Sequence, residues 1–372
     1  MMKTFRFDEI AYNSTQKVKP TEADKEHYIG LEHIDGECLY ISRWGSDVAP
    51  IGEKLVMRKG DILFGKRRAY QRKVAIAPID GIFSAHGLVL RPKEDVVDKD
   101  YFPFFMSSNQ FLDRAVQISV GGLSPTINWK DLARQEFTLP SLSEQKVLAD
   151  KLWAAYRVKE SYKKLLAATD DMLKAKFSEM FGENYKVPLH TVCATLIDGD
   201  WIESKDQSNT GVRLIQTGNI GVGDFKNKED KSRFITQETF ERLNCTEIFP
   251  GDILISRLPD PIGRACILPK YIGKAITAVD CTIIRLNDKM LPEFFIANTL
   301  SNYYNQQILS GIKGTTRLRI SRRDLSLINI LCPPLPLQQQ FAEIATQAEA
   351  TKESLRKSIE NIDQVIKSLI NQ

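Results

Sequence analysis

Between two apolar runs, Lys66-Arg67-Arg68-Ala69-Tyr70-Gln71-Arg72-Lys73 packs five cations and a glutamine into eight residues. A buried strand cannot hold that much like charge, so the segment must be an exposed hairpin or loop. It is either a solvated turn or a surface that wants anions, because clustered cations repel until an anion relieves them. A second polar stretch follows in the same half, Gly121-Gly122-Leu123-Ser124-Pro125-Thr126-Ile127-Asn128-Trp129-Lys130, whose glycines let a chain approach another backbone closely. The other half of the chain carries Arg257-Leu258-Pro259-Asp260-Pro261-Ile262-Gly263-Arg264 and Lys313-Gly314-Thr315-Thr316-Arg317-Leu318-Arg319. Arginine and lysine suit phosphate or guanine, and glutamine and asparagine suit adenine. If a nucleic acid is that anion, the candidate contacts are Lys66, Arg67, Arg68, Gln71, Arg72, Lys73, Ser124, Thr126, Asn128 and Lys130 in one half. In the other they are Arg257, Arg264, Lys313, Thr315, Thr316, Arg317 and Arg319.

Residues for bond-making chemistry are missing. There is no Walker A motif, no G-x-G-x-x-G after a strand and no N/D-P-P-Y/F element of an amino-methyltransferase. Gly218-x-x-Gly221-x-Gly223 has the wrong spacing and suits a turn. Asp198-Gly199-Asp200 followed by Glu203-Ser204-Lys205 mimics a metal-dependent nuclease, yet the first half has no equivalent. His86 has no nucleophile or base beside it and reads equally as a core histidine or a DNA contact. The six cysteines form no C-x-x-C pair and no metal-ligand spacing with the four histidines, as expected of reduced thiols in a cytoplasmic protein without a metal site.

The elements that must position these loops occur twice. Lys59-Gly60-Asp61-Ile62-Leu63-Phe64 returns 191 residues later as Pro250-Gly251-Asp252-Ile253-Leu254-Ile255. Ile127-Asn128-Trp129-Lys130-Asp131-Leu132 returns 193 later as Ile320-Ser321-Arg322-Arg323-Asp324-Leu325. Pro140-Ser141-Leu142-Ser143-Glu144-Gln145 is echoed by Leu335-Pro336-Leu337-Gln338-Gln339-Gln340 at an offset of 195. A period this long duplicates a whole domain rather than a solenoid repeat. Short runs such as Val74–Ala77, Ile82–Ser84 and Gly87–Leu90 read as strands, as do Ile253–Ile255 and Cys281–Ile284. Tyr101 to Val116 reads as one amphipathic helix, matched by Leu291 to Leu309. The expected class is α+β, with two globular mixed α/β heads.

From Ser143 to Phe181 there is no glycine or proline. Leu148, Leu152, Ala155, Tyr162, Leu166, Leu173 and Met180 recur at helical spacing, interrupted by Lys159 and Thr169. Near the end of the chain, Phe341, Ile344, Ala348, Thr351, Leu355, Ser358, Ile362, Val365 and Leu369 hold one seam. Such seams predict long helices that pair as an antiparallel coiled coil, related by an approximate two-fold axis, the alternative being that each packs on its own head. Ser143 with Glu144 and Gln145 is the expected start of the first helix, and Gly182 its stop. The expected division is a first head at 1–142, a central helix at 143–182, a second head at 183–336 and a last helix at 337–372.

The 42% hydrophobic and 26% charged fractions are those of an ordinary globular chain, and the net charge of +4 neither demands nor excludes nucleic acid. No apolar run is long enough to span a membrane, and Met1–Asp8 lacks a signal peptide's apolar core.

Taken together, these segments resemble the specificity subunits of type I restriction-modification systems. The resemblance rests on Tyr28–Ile34, Gly60–Lys66, Leu142–Gln145, Lys176–Gly182, Leu214–Ile220 and Pro250–Leu254, in that order and in duplicate. The second copy departs in having Gln338-Gln339-Gln340 where the family carries Glu-Gln after a leucine. What the resemblance implies is a subunit without catalysis or cofactor of its own, whose two target recognition domains each read half of a bipartite DNA target. Its helices would hold two modification subunits, which carry S-adenosylmethionine and methylate adenine. A restriction subunit, with ATP and Mg, would join them in the full complex. The remaining alternatives are a coiled-coil adaptor that binds protein alone and a divergent metal-dependent nuclease using Asp200, Glu203 and Lys205.

Overall fold

The computed structural model describes residues 2–182, 184–259, 261–314 and 317–371. The chain forms two compact units, residues 1–163 with 356–372, and residues 164–355.

In the first unit, Ala11–Ser14, Leu88–Pro92, Ile62–Phe64 and Val74–Ile76 lie side by side in that order as an antiparallel sheet. In the second unit, Cys193–Asp198, Cys281–Leu286, Ile253–Ser256 and Ala265–Ile267 repeat the order. Successive residues of a strand face opposite sides, and both sheets are buried on both. Ile62 and Phe64 enter the core made with the helices, while Leu63 enters a core with a second sheet. Ile253 and Ile255 do the same on one side and Leu254 on the other. Each second sheet contains one parallel pair, Tyr28–Ile29 with Gly81–Phe83 and Val212–Ile215 with Ala275–Thr277.

The repeated Gly-Asp has a mechanical explanation. Gly60 and Gly251 adopt φ of +91° and +95°, a left-handed turn that penalises any residue with a Cβ. Each glycine N–H donates to the chain beyond the hairpin, Gly60 to Ala77 O and Gly251 to Leu268 O, both at 2.9 Å. The aspartate then locks the turn from inside. Asp61 accepts from the Arg58 N–H at 2.8 Å and from the Arg91 guanidinium at 2.6 and 2.8 Å. Asp252 accepts from the Phe249 N–H at 2.9 Å and from Arg285 at 3.0 Å.

Four expectations are corrected, the last of them the seam of the final helix. The stretch from Tyr101 to Val116 is two helices, Phe102–Ser107 and Asn109–Gln117, because the Ser108 hydroxyl turns back to cap the Phe111 N–H at 3.2 Å. The second copy breaks at the matching Ser301, which caps Tyr304 between Pro292–Leu300 and Asn302–Gly311. Next, the central helix runs Leu142–Phe181 and is started by Ser141, not Ser143. The Glu144 carboxylate accepts from the Ser141 N–H at 2.9 Å and from its hydroxyl at 2.6 Å, and the hydroxyl in turn accepts from the Glu144 N–H at 3.4 Å. That is a capping box.

The third correction concerns the echo at these helix starts. Gln145 is fully buried, accepting from the Asp98 N–H at 2.8 Å and donating to Pro140 O and Val96 O. Gln338 is equally buried, accepting from the Leu291 N–H at 2.9 Å and donating to Lys289 O and Pro333 O. Gln145 therefore corresponds to Gln338, an offset of 193, not 195. In this register Glu144 corresponds to Leu337, so the second helix, Leu335–Ile370, begins without the acidic cap.

Parts of both long helices lie within each unit. In the first, Leu152 and Tyr156 share a core with Ile366, flanked by Ile362 and Leu369. Nearly buried Lys159 meets Asp363 at 2.5 Å. In the second, Phe177, Phe181, Phe294 and Phe341 form an aromatic box with centroids 5.0–6.1 Å apart. There Lys352 meets Asp170 at 2.9 Å. Lys159 and Lys352 are 193 residues apart, and so are Asp170 and Asp363. The ion pair is thus duplicated with the rest of the repeat. The seam of the last helix correspondingly passes through Ala345, Lys352, Ile359 and Ile366, one residue later than the expected Ile344, Thr351, Ser358 and Val365. Val365 itself is exposed.

Candidate nucleic-acid interface

In the first head, the cationic loop connects the paired strands Ile62–Phe64 and Val74–Ile76 and is shaped by Arg68 and Arg72, both left-handed. The second polar stretch is brought directly onto it. Ile127 N–H donates to Lys66 O at 3.0 Å and Arg68 N–H to Pro125 O at 2.7 Å. The Arg68 Nε also holds the Ser124 hydroxyl at 3.2 Å. Thr126 bridges Arg67 on one side and Val120 on the other, so residues 120–126 form a short β-finger. A third segment joins them: the Arg67 N–H donates to His86 O at 3.2 Å, and its guanidinium lies 3.5 Å from the His86 ring.

The electrostatics of this cradle are one-sided. Lys66 is half-buried, and its ammonium has no acidic partner among the described residues. Burial pushes the Lys66 amine below its ordinary range, and Lys17 pushes it further. The His86 imidazole is held down by burial and then by Arg67, Lys66 and Lys54. An arriving phosphate would relieve this repulsion. His86 is exposed in the turn and so is not a core histidine.

Other candidates lie differently. Arg72 turns to the helix Asn109–Gln117, reaching Asn109 at 2.8 Å and Asp113 at 2.6 Å, and Lys73 donates to Leu31 O at 2.5 Å. Gln71, Asn128 and Lys130 are exposed, with the Asn128 amide 3.4 Å from Asp131.

The second head brings the same three segments together. Ile320 N–H donates to Arg257 O at 3.3 Å, and Arg257 N–H donates to Asp280 O at 3.0 Å. Lys313 and Arg319 pair across a finger like that of the first head. Gly121 and Gly314 turn the two fingers with φ of +118° and +116°. The side chains diverge. Arg257 is buried, with its guanidinium on Val279 O at 2.6 Å and Asp198 at 3.3 Å. Arg264 also points inward, donating to the carbonyls of Ile220, Pro261 and Thr217 at 2.7–2.8 Å. Those two arginines shape the loop from within. Lys313, near Asp324 at 3.0 Å, Arg317, 3.9 Å from Asp280, and Arg319 are exposed. Thr315 and Thr316 lie outside the described residues. Arg322 and Arg323, exposed at the start of the following helix, were not among the expected contacts. Their signal was present, in two consecutive arginines after the Ile320 echo.

The nuclease-like residues do not converge. Asp198 faces Arg257 and Arg322, Asp200 accepts from the Thr246 N–H at 2.9 Å, and Glu203 pairs with Lys205 at 2.8 Å. Among the described residues no three histidine, cysteine or carboxylate side chains are placed to hold a metal, and no helix is long and apolar enough to cross a membrane.

A protein of Methanocaldococcus jannaschii, which carries the provisional name of type I restriction enzyme MjaX specificity subunit, is 26% identical over 345 residues. The match spans 84% of this chain and 77% of that one. A chain solved in work on complex assembly and conformational transition of the type I R-M system superposes with a TM-score of 0.60 at 18% identity, covering 99% of this chain and 96% of its own. The type I restriction-modification S subunit from M. genitalium superposes with a TM-score of 0.54 at 12% identity, covering 100% and 95%. The model of the type I restriction modification DNA specificity domain matches twice, at residues 5–168 and 185–364. Two matches to that model, one for each copy of the repeat, make this chain a member of the type I restriction-modification specificity subunits, the non-catalytic partners that confer DNA recognition.

Proposed function

We propose that each head reads one half of a bipartite double-stranded DNA target through its three-segment cradle. Lys66, Arg67, Arg68, Ser124, Thr126 and His86 face the first half-site, with Gln71, Asn128 and Lys130 at the margin. Lys313, Arg317 and Arg319, with Arg322 and Arg323, face the second, and Thr315 and Thr316, outside the described residues, stay candidate contacts by their place in the sequence. Arg72, Lys73, Arg257 and Arg264 hold the loops in shape. The observation that carries this reading is the convergence of distant polar segments at the same place in both copies, on a common frame but with different side chains. Two readers of different sequences need a constant frame and variable tips.

The two long helices pair antiparallel as a coiled coil, an arrangement with an approximate two-fold axis. The support is the duplicated Lys–Asp pair, in which each helix supplies the lysine once and the aspartate once. The paired helices scaffold two modification subunits that bring S-adenosylmethionine, and a restriction subunit with ATP and Mg joins the full assembly. The heads correspond to residues 1–142 and 183–336, and the helices to 143–182 and 337–372.

The test is binding of duplex DNA by the complex carrying Arg67→Ala and Arg68→Ala. At about 1–3 kcal/mol per base contact, the pair should cost a few kcal/mol. If both arginines touch only phosphates, the loss should be uniform over sequences, and the salt slope should flatten by about one unit per charge. Unchanged affinity together with an unchanged salt slope removes this loop from the interface.

A further inference from the structure

We propose that Leu123, at the tip of the first head's β-finger, reads a thymine through its C5-methyl group. The inference rests on the DNA-reading role of the cradle given above and adds an apolar contact to a set of otherwise polar ones. Leu123 is 97% exposed, the most exposed of the large apolar side chains described. A single exposed leucine is ordinary on a surface. This one, however, stands at a fixed point of a repeated device. Val120 and Thr126 exchange two backbone hydrogen bonds, at 3.1 and 2.9 Å, and the five residues between them form the tip. Gly121 supplies a left-handed turn that the second head repeats at Gly314. On the far side of the tip, Ser124 and Pro125 are held by the Arg68 side chain and N–H. The leucine is thereby presented next to the Arg67–Arg68 cation pair, on the face that an anionic backbone would approach.

An apolar side chain in a groove has few complementary partners. The thymine C5-methyl is the apolar feature of the major-groove base edges. The other use of an apolar tip, as a wedge between stacked bases, costs a few kcal/mol of unstacking and needs rigid backing. Leu123 has none: at 97% exposure almost nothing packs behind its side chain. The tip can lie against a base edge but cannot drive a step apart.

The experiment uses the full-length chain assembled with its methyltransferase partners. Duplexes are selected from a random-sequence library by the wild-type complex, and each thymine of the selected sequence is replaced singly by deoxyuridine. Wild type should lose about fourfold in affinity at one position of one half-site, which is roughly 0.8 kcal/mol for one methyl group. Leu123→Ala should bind the thymine and deoxyuridine duplexes alike at that position and keep the remaining preferences. Lys130→Ala, an exposed cation that does not hold the tip, should weaken all duplexes while leaving the thymine-to-deoxyuridine ratio intact. The proposal is overturned if Leu123→Ala keeps the wild-type ratio at every position, or if wild type shows no deoxyuridine effect anywhere. Selection of no sequence at all by wild type would overturn the DNA-reading role of the cradle along with it, a result distinct from the other two.

Discussion

The duplicated ion pair predicts an asymmetry between its two partners. The Lys159 side chain is only 10% exposed, lies 5.7 Å from the Tyr156 ring centre and ends 2.5 Å from Asp363, which is 38% exposed. Removing the acid strands an ammonium that water barely reaches; removing the lysine leaves a carboxylate that water can solvate. Breaking a fully buried pair costs about 3–5 kcal/mol, and an exposed pair contributes about 0–1 kcal/mol. Asp363→Ala should therefore fall between these limits, at about 2 kcal/mol, and Lys159→Met near zero, because the methionine keeps the apolar stem packed. Hydrogen exchange followed by mass spectrometry reads the effect where it occurs. At tenfold per 1.4 kcal/mol, Asp363→Ala should speed exchange about 30-fold in peptides covering 149–163 and 356–370. Lys159→Met should leave them near wild type, and so should the double variant, since the stranded charge is gone. Equal effects of the two single variants, or no change in either, would refute the argument that the buried lysine is the costly partner.

Four further outcomes follow from the geometry. Asp61→Ala removes an acceptor from the Arg58 N–H and from Arg91, and Asp252→Ala does the same in the second head; each should cost about 2–4 kcal/mol in its own unit, measured by hydrogen exchange. Gln338→Ala leaves the Leu291 N–H and the Pro333 carbonyl unpaired and Lys289 O with only the Cys332 thiol, and should cost about 2–3 kcal/mol, whereas exposed Gln339→Ala should be silent in urea unfolding. Burial raises the Asp200 carboxyl above the usual carboxylate range against an opposing hydrogen bond from Thr246, so the fold favours its protonated form and loses stability as pH rises through that raised value. Asp200→Asn should then raise the melting temperature at pH 7, approach wild type near pH 3, and leave DNA binding unchanged; loss of DNA binding would implicate Asp200 in function. Finally, exchanging residues 183–336 for the matching head of a relative should change one half of the methylated motif, read by methylome sequencing, and a change in both halves would show that the heads read as one.

Local pattern revealed the duplication, the strands and the two long helices, since each depends on residues close in sequence. It failed where a partner lies far away. Lys159 reads as an interruption of the central seam, and the expected seam of the last helix runs through Thr351 rather than its neighbour Lys352. Each in fact meets an aspartate about 200 residues distant, which no helical periodicity can show. The breaks at Ser108 and Ser301 were hidden because apolar spacing continues across them and only the serine rotates out of helical geometry. In the loops, all the arginines looked alike. Arg257 and Arg264 turn inward because backbone carbonyls from distant segments receive them, while Arg67, Arg68 and Arg317 keep an open side.

The glutamine at the start of each long helix has a consequence for how such chains can diverge. Gln145 and Gln338 bind only main-chain atoms of the heads, at Val96, Asp98 and Pro140 and at Lys289, Leu291 and Pro333. A joint made to the peptide backbone is indifferent to which side chains the other party carries. A crossover near these glutamines that brings in a foreign head therefore need not match side chains at the glutamine itself, and has to match only the apolar contacts between head and helix, such as Phe294 with Phe177, Phe181 and Phe341. The same indifference means that mutations accumulating in a head's tips go unnoticed at the joint. On the proposed reading of one half-site per head, exchanging an intact head while keeping the helices gives a new sequence preference.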